Sequence, residues 1–253
     1  MSVSFLSDST PYASYHQTSA VLTDRSIPLP TPAGKAGWLQ VVARRWHRER
    51  RRRKVGRAYD MALEIARLVP LSSSVLDVGC GSGYIAHHLS ALLGARVLGI
   101  DMNEAVEAPV DFKCFDGRQF PVANQSFDAA LFCYVLHHAQ DLKAIMAELR
   151  RVLRDGGSAV VYEDIPARRW DRFICALHEL KWRKRTGPCT FHSECRWREI
   201  FAENGFEVVK EKRLSRWRNL AHPVTRRLFV LKRNDIYGKP VGGESWLAAA
   251  GCD

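Results

Sequence analysis

The sequence predicts an α/β fold in which helices cover a mostly parallel β-sheet. Three observations support this fold class. Short apolar segments alternate with segments of helical periodicity beyond Pro70, a glycine-rich turn follows the first apolar segment, and only a loop separates the last two. Strands that alternate with helices of about 10 to 15 residues are typical of parallel sheets. Two strands joined by a loop pair antiparallel instead, so we expect an antiparallel last strand.

The predicted elements follow one another as strands and helices of ordinary length. Apolar residues recur at helical spacing in 58–69, and a helix at 193–204 has Ser193 as its start signal and Gly205 as its stop signal. A helix rich in basic residues is predicted at 38–57. The strands are predicted at 75–78, 96–100, 111–115, 127–133, 158–163, 207–214 and 228–233, and the other helices at 84–93, 141–153 and 168–181.

Composition divides the chain into four segments. Residues 1–37 are rich in proline, serine and threonine, and few of them can start a core, so we expect a flexible N-terminal tail. A basic helical segment follows at 38–57, and the α/β domain covers 58–234. Residues 235–253 form a C-terminal tail.

Positive charge is concentrated in two segments. The formal net charge is +11, and Arg44–Arg57 alone holds nine basic residues against Glu49. Arg168–Arg185 holds seven basic residues, with Trp170 and Trp182 among them. Such segments favour a nucleic acid backbone or an anionic membrane surface as partner. Charge runs are also common on solvated helix faces, so both interpretations stay open here.

Neither a membrane-spanning segment nor a secretory signal is predicted, so we expect a cytoplasmic protein. No apolar run approaches about 20 residues, and residues 1–20 lack a basic start followed by an apolar block. The seven cysteines, an odd number, predict free thiols in a reducing compartment. Five residues have loose zinc-like spacing, but apparent helices hold most of them, so no metal site is predicted. These five are Cys175, His178, Cys189, His192 and Cys195.

A glycine-rich turn joins the first predicted strand to the helix that follows. Gly79, Gly81 and Gly83 stand at alternating positions directly after the strand. Glycines permit a tight turn and let the backbone approach a ligand closely. The helix N-terminus offers unpaired N–H groups and the positive end of its dipole. The spacing matches neither a dinucleotide-binding turn nor a P-loop.

Three acidic residues lie at the carboxyl ends of three successive predicted strands: Asp77, Asp101 and Asp116. In a doubly wound sheet the position of Asp101 faces the ribose of a nucleoside ligand. Met102 is expected to cover one face of an adenine, and Asp116–Gly117 to accept from its amino group. Aspartate is common where strands end, but three such residues together predict a nucleoside site.

Three stretches carry a family resemblance: VLDVGCGSGYIAHHL, LGIDMN, and DGRQFPVANQSFDAALFCYVLHHAQDLKAIMAELRRVLRDGG. They resemble class I S-adenosylmethionine-dependent methyltransferases, and among these the type 11 methyltransferase domain family that includes ubiquinone/menaquinone C-methyltransferases. The resemblance covers about 71–161 and continues more weakly through FHSECRWREIFAENGFEVV. It implies a Rossmann-like seven-stranded sheet with an antiparallel last strand and helices on both faces. It also implies a lid insertion at about 165–192.

The resemblance further implies S-adenosylmethionine as cofactor and a role for each site residue. Asp77 and the backbone of Gly79–Gly83 would hold its methionine part, Asp101 the ribose and Asp116 the adenine. The chain at Phe132–Tyr134 would close over the methionine amino group. The residues expected to bind the cofactor are Asp77, Gly79, Cys80, Gly81, Gly83, Asp101, Met102, Asp116, Gly117 and Cys133.

The acceptor side is less well defined by the residues. Methyl transfer mainly requires alignment of acceptor and methyl carbon with water excluded, and some acceptors also need a general base. His137 and His138 follow the fourth strand and are the candidate bases, although one buried and one solvated histidine would give the same pattern. Tyr134 and Glu163 are the next candidates.

Two acceptor classes are disfavoured, and three functions stay open. No Asn/Asp-Pro-Pro-Tyr/Phe stretch follows the fourth strand, which argues against amino-nitrogen methylation of nucleic acid bases. Pyrimidine C5 methylation uses a thiol nucleophile in a Pro-Cys context. Cys133 lacks this context and is expected in the core. The basic, aromatic segment Arg168–Arg185 favours an anionic or amphiphilic small molecule as acceptor. RNA methylation is the second expectation, and a non-catalytic module that binds the cofactor is the third.

Overall fold

The computed structural model describes residues 35–71, 73–220 and 222–234. The chain forms two compact units, Met1–Arg50 and Arg51–Asp253. In the first unit the described residues are helical, and their side chains from residue 38 onward are exposed. The second unit holds the sheet. The predicted tail 235–253 and nearly all of the predicted tail 1–37 lie outside the described residues.

A seven-stranded sheet forms the centre of the second unit. Its strands are β1 (Val75–Val78), β2 (Val97–Asp101), β3 (Asp111–Cys114), β4 (Phe127–Cys133), β5 (Leu153–Ile165), β6 (Phe206–Leu214) and β7 (Thr225–Arg233). The strand order is β3-β2-β1-β4-β5-β7-β6. The first five strands pair in parallel, and β7 runs antiparallel to both β5 and β6. The predicted fold class, including the antiparallel last strand, is confirmed.

Five α-helices connect the strands or precede them. They are α1 (Lys35–Ala66), α2 (Tyr84–Leu93), α3 (Leu142–Val152), α4 (Arg169–Thr186) and α5 (Glu194–Glu203). The side chains of Asp141 and Ser193 cap α3 and α5 by accepting backbone N–H groups. Gly94 ends α2 in the left-handed conformation. In the part of the chain that is described, no helix combines the length and the apolar character that a bilayer crossing requires.

The core lies on both faces of the sheet because successive strand residues point to opposite sides. Leu76 and Val78 of β1 belong to one buried cluster, which includes Met146 of α3 and Trp197 of α5. Val75 belongs to the other cluster, together with residues of α1 and α2. Chain order reverses between the neighbouring strands β1 and β4, and parallel sheets bind ligands beyond the carboxyl ends of their strands at such a point. The functional site is therefore expected there.

Three element predictions need correction. The helices predicted at 38–57 and 58–69 are one helix, α1, because a single internal glycine, Gly56, costs only about 1 kcal/mol relative to alanine. Strand β5 begins five residues before the predicted start at 158, since Leu153 already pairs with Phe127 across a bulge. Helix α4 continues five residues past the predicted end at Lys181.

The cysteine prediction was wrong at one position. The free cysteines in the described residues are Cys80, Cys114, Cys133, Cys175 and Cys189, whereas Cys195 is disulfide-bonded. An odd number of cysteines requires one unpaired thiol and does not exclude a disulfide among the rest.

Candidate active site

The glycine turn after β1 has the backbone conformation that the sequence predicts. Gly79, Gly81 and Gly83 all have positive φ angles, of 69°, 54° and 76°. A β-carbon on Gly79 would lie 2.5 Å from a methyl group of Val135, so the chain after β4 packs directly on the turn. A β-carbon on Gly81 would meet no atom within 4 Å. The turn is tightly packed at Gly79 and open to a ligand at Gly81.

Asp77 is a buried carboxylate that no described residue of the chain contacts through a hydrogen bond. Its side chain is 1% exposed, and neither of its oxygens has a hydrogen-bond partner among the described residues. Burial, and secondly the charge of Asp101, raises the pKa of Asp77 to about 7. A buried, unpaired carboxylate is costly unless a cation or donor compensates it. Asp77 is therefore suited to a positively charged ligand.

Asp101 connects the end of β2 to the glycine turn. Its Oδ2 accepts from the N–H of Gly81 at 2.9 Å, and its Oδ1 accepts from the N–H of Asn103 at 2.9 Å. The carboxylate thus lies beside the open part of the turn. At this position it can exchange the Gly81 contact for ligand hydroxyl groups.

Met102 and Asp116 lie at the carboxyl ends of β2 and β3. A β-carbon on Gly117 would lie 2.9 Å from the sulfur of Met102, so the two residues are in close contact. Oδ1 of Asp116 accepts from the N–H groups of Gln119 and Arg118, both at 2.8 Å. These bonds lower the pKa of Asp116. The carboxylate of Asp116 therefore stays ionised and fixed at the rim, one residue before Gly117.

The end of β4 contributes backbone strain and a partly buried thiol. Tyr134 has a φ of 63°, which is rare for a residue with a side chain and is typical of functional sites. Burial raises the pKa of the Tyr134 hydroxyl. Burial also raises the pKa of the Cys133 thiol, well above its ordinary value, which agrees with a core residue and not with a nucleophile.

His137 is buried and held by Glu163. Its Nδ1 lies 2.6 Å from Oε2 of Glu163, whose Oε1 accepts from the N–H of Leu136. Burial lowers the pKa of His137, but the charge of Glu163 and the hydrogen bond to it outweigh burial and raise the pKa overall. Its Nε2 is buried and has no partner among the described residues. Phe191 stacks on the ring at 4.7 Å.

His138 is half-buried against the C-terminal half of α4. Its Nε2 lies 3.3 Å from Nε2 of His178, and its Nδ1 lies 3.0 Å from Oγ1 of Thr186 and 3.2 Å from Sγ of Cys189. Burial, followed by the charge of His137, lowers the pKa of His138 to about 3. The expected pair of one buried and one solvated histidine is therefore wrong for His138, which is neutral and enclosed.

A cavity of about 640 Å³ opens beside the glycine turn, and we call it the α4 cavity. It lies between the C-terminal part of α1, the glycine turn, α4 and the loop before β7. Its size is typical of small-molecule sites. The charged and histidine residues that line it are Lys54, Arg57, Asp60, Asp164, His178, Lys181, Arg218, His222 and Arg226. The apolar residues that line it include Met61, Ile85, Ile174, Leu177 and Trp182.

Buried ion pairs fix the walls of the α4 cavity. Asp171, at the start of α4, is fully buried and accepts from Arg216 at 2.9 Å and from the hydroxyl of Thr225 at 2.9 Å. Arg226 lies 2.9 Å from Asp164 and 5.5 Å from the ring of Tyr134. Asp171 thus joins α4 to β7, and Arg226 joins β7 to β5. The first turn of α4, which lies within the lid predicted at 165–192, is therefore anchored to the sheet.

A model of the methyltransferase domain family matches residues 46–211, more than half of the chain. This stretch contains the glycine turn, the three strand-end carboxylates and α4. The chain belongs to the class I S-adenosylmethionine-dependent methyltransferases. S-adenosylmethionine is accordingly the cofactor of the methyltransferase domain. The predicted type 11 subfamily stays a prediction.

Individual relatives agree with this membership. The chain is 27% identical over 173 residues to 24-methylenesterol C-methyltransferase 2 of Arabidopsis thaliana, an alignment that covers 62% of this chain and 47% of that protein. It is 32% identical over 94 residues to the ubiquinone biosynthesis O-methyltransferase of Rhizobium rhizogenes, with 33% and 38% covered. The chain thus spans less than half of the length of these two relatives.

A solved structure shows the same fold. The S-adenosylmethionine-dependent methyltransferase from Methanosarcina mazei superposes with a TM-score of 0.55 at 19% identity, covering 67% of this chain and 96% of that one. The sheet and its flanking helices are therefore those of a known methyltransferase fold.

The residues of the methyltransferase domain fit the cofactor chemically. S-adenosylmethionine carries a sulfonium and an ammonium group, and Asp77 is a buried carboxylate that lacks a partner among the described residues. The open space at Gly81 accommodates a ligand against the backbone. Asp101 and Asp116 present carboxylates at the ends of the next two strands, where a nucleoside would extend.

The structure brings the predicted cofactor residues together but separates the predicted bases from the α4 cavity. Neither His137 nor His138 is among the residues that line it, whereas Tyr134 is. The residues that sequence reasoning did not assign to the site include Arg57, Asp164, His178, His222 and Arg226. The two basic segments gave a partial signal, since Arg57 ends one of them and His178 lies within the other.

Proposed function

We propose that the methyltransferase domain transfers a methyl group from S-adenosylmethionine to an anionic or amphiphilic small molecule in the α4 cavity. The cofactor supplies an electrophilic methyl carbon, and the chain's own residues bind and align the two reactants. The observation that carries the proposal is the mixed lining of this cavity beside the glycine turn.

We assign the cofactor contacts residue by residue. The carboxylate of Asp77 compensates the positive charge of the cofactor's methionine part. The open space of the turn at Gly81 accommodates this part of the cofactor. Asp101 accepts from the ribose hydroxyls. Asp116 and Met102 hold the adenine at the rim. Each assignment rests on a carboxylate, a sulfur atom or an open space at the carboxyl ends of β1, β2 and β3.

The charges of the α4 cavity support an acidic group on the acceptor. Lys54 is paired with Glu107 at 2.8 Å, and Arg218 with Glu64 at 2.8 Å. Arg57, by contrast, lines the cavity without an ion pair among the described residues. A guanidinium can bind a carboxylate or phosphate through two parallel hydrogen bonds. Arg57 is therefore available for the acceptor's anionic group.

The apolar side chains of the α4 cavity support a hydrophobic portion on the same molecule. Ile174, Leu177 and Trp182 face the cavity from α4, and Met61 faces it from α1. Apolar walls also reduce the access of water, which favours an aligned reaction over hydrolysis. Two relatives carry names that specify sterol or ubiquinone-pathway methylation, which supports a small, largely apolar acceptor in preference to RNA.

Tyr134 is placed to align the acceptor. It lines the α4 cavity directly after β4, and its strained backbone is fixed by the N–H bond to the carbonyl of Tyr162. We assign it a positioning role. His137 and His138 remain predicted bases, which this proposal does not require.

The test is a labelled-methyl screen with the full-length chain. Purified protein is incubated with methyl-labelled S-adenosylmethionine and, separately, with acidic amphiphiles, neutral lipids, polar metabolites and RNA. We expect label in the acidic amphiphile fraction and none with Asp101→Ala. Label confined to RNA, with salt-sensitive RNA binding, would replace the proposal by the RNA alternative. Tight binding of the cofactor with no label in any fraction would leave the binding-module alternative.

A further inference from the structure

Three histidines from two separate elements meet behind the α4 cavity. His137 and His138 belong to the short helical turn Leu136–His138, and His178 belongs to α4. One ring nitrogen from each lies within 4.8 Å of the other two. We call these three residues the His cluster. Among the described residues, no other set of His, Cys, Asp and Glu side chains comes together in this way.

The distance between two of the cluster nitrogens matches a metal site. Nε2 of His138 and Nε2 of His178 are 3.3 Å apart. Zinc binds histidine nitrogen at about 2.0 to 2.1 Å in tetrahedral geometry, which places two ligand nitrogens about 3.3 Å apart. The pair is therefore spaced as two ligands of one ion, before any movement of either ring.

His137 has one ring nitrogen held by a carboxylate and one that is buried and without a partner among the described residues. Nδ1 of His137 contacts Glu163 at 2.6 Å, while its Nε2 has no partner among the described residues and the residue is 1% exposed. Histidine ligands of metals usually donate their other N–H to a carboxylate, which fixes the ring and leaves the far nitrogen for the metal. His138 has a comparable outer contact through Thr186.

We propose that the His cluster binds one divalent transition-metal ion of the zinc class through its three imidazoles, with a fourth position left open. Three protein ligands with an open position are typical of sites where zinc binds water or substrate. His178 also lines the α4 cavity, so the open position lies beside the cavity wall. An oxygen of water or of an acceptor is the expected fourth ligand. This site goes beyond the proposed function, which holds whether or not a metal binds.

The His cluster is distinct from the zinc-like spacing in the sequence. Of the five residues with that spacing, only His178 belongs to the cluster. Cys189 contacts His138 at Nδ1, away from the paired Nε2 atoms. His192 packs on the edge of Trp197 instead. His192→Ala therefore provides a matched control, whereas Cys189→Ser changes only an outer contact of His138 and tests whether a thiolate is a ligand.

Metal uptake by the full-length chain tests the proposal. Protein freed of metal by dialysis against a chelator is titrated with Zn²⁺ in competition with a fluorescent chelator. We expect one equivalent to bind in wild type, His192→Ala and Cys189→Ser. Changes in outer contacts already weaken metal sites about 10- to 100-fold, so His178→Ala and His138→Ala should weaken binding by more than about 100-fold. No uptake by wild type, or uptake unchanged in His178→Ala, would overturn the proposal.

Two further measurements keep the test independent of folding and of methyl transfer. Calorimetric binding of S-adenosylhomocysteine should be retained in His178→Ala, which separates loss of the metal from loss of the fold or of the cofactor site. Co²⁺ replaces Zn²⁺ in the wild-type chain as a spectroscopic probe. Intense visible absorption of four-coordinate Co²⁺ without a thiolate charge-transfer band supports three histidine ligands. Weak absorption of six-coordinate Co²⁺, or a thiolate band, contradicts them.

Discussion

The cofactor side and the acceptor side of the methyltransferase domain are built from different kinds of contact. On the cofactor side, one short turn supplies the backbone, and the strand-end carboxylates supply hydrogen-bonding groups at fixed points of a parallel sheet. On the acceptor side, α1, α4 and the segment around the start of β7 complete the α4 cavity beside the glycine turn, and ion pairs there join residues as far apart in the chain as Glu64 and Arg218. The glycine turn of the cofactor side is formed by residues close together in the sequence, whereas the acceptor side depends on tertiary packing.

This difference teaches that the two sides should respond differently to substitution. A change on the cofactor side acts on a ligand that the whole family shares, so it should affect binding before any acceptor is present. A change in the α1 or α4 wall of the α4 cavity, away from the glycine turn, should alter acceptor affinity and leave cofactor affinity unchanged. Cross-effects between the two sides would contradict this separation.

The largest expected effect is that of Asp101→Ala. The substitution removes a carboxylate that accepts from Gly81 and that we assign to the ribose hydroxyls. Hydrogen bonds to a charged group contribute about 1.5 to 3 kcal/mol each, so losing two should weaken cofactor binding roughly 100-fold or more. Calorimetry with S-adenosylhomocysteine measures the effect. An affinity equal to that of wild type would remove Asp101 from the site.

The pH dependence of Asp77 gives the next largest effect. Its pKa is about 7 in the folded chain and about 3.9 in an unfolded one. Between these pH values the folded state binds more protons, so the free energy of unfolding should fall as pH rises from about 4 to 7, by at most on the order of 4 kcal/mol. The difference between wild type and Asp77→Asn in urea unfolding isolates this contribution from carboxylates whose pKa is lowered, such as Glu64.

The same titration predicts the opposite trend for the cofactor. Ionised Asp77 attracts a cationic ligand and protonated Asp77 does not, so affinity for S-adenosylmethionine should rise with pH through about 7 in wild type. Asp77→Asn should bind more weakly and lack this rise. A rise of equal size in both proteins would assign the titration to another group.

Two glycine substitutions form a matched pair with a smaller effect. Gly79→Ala adds a β-carbon 2.5 Å from Val135 at a positive φ and should destabilise the fold by roughly 2 to 4 kcal/mol. Gly81→Ala has the same backbone strain but meets no atom within 4 Å, so about 1 kcal/mol is expected. Urea unfolding gives the stabilities. Gly81→Ala should nevertheless weaken cofactor binding, because its methyl group enters the open space of the turn.

The same contrast explains how much of the molecule the sequence could predict. The β1 turn, the three carboxylates and the sheet were predictable because strand ends, glycines and acids stand at fixed spacing along the chain. The α4 cavity was not, because Arg226 reaches Asp164 only after β7 inserts beside β5. The His cluster was hidden for the same reason, since no local spacing links His178 to the pair at 137 and 138.

The smallest expected effect is that of Arg57→Ala, and it is the most specific to the acceptor side. Arg57 is exposed at the mouth of the α4 cavity, and exposed ion pairs contribute about 0.2 to 1 kcal/mol. Once an acidic acceptor is identified, its KM should therefore rise roughly two- to fivefold, with kcat and cofactor affinity unchanged. Arg67→Ala is the matched control, because Arg67 is also exposed but lies outside the cavity. Equal effects of both substitutions would indicate a general charge effect and would leave the anionic group of the acceptor without a binding residue at Arg57.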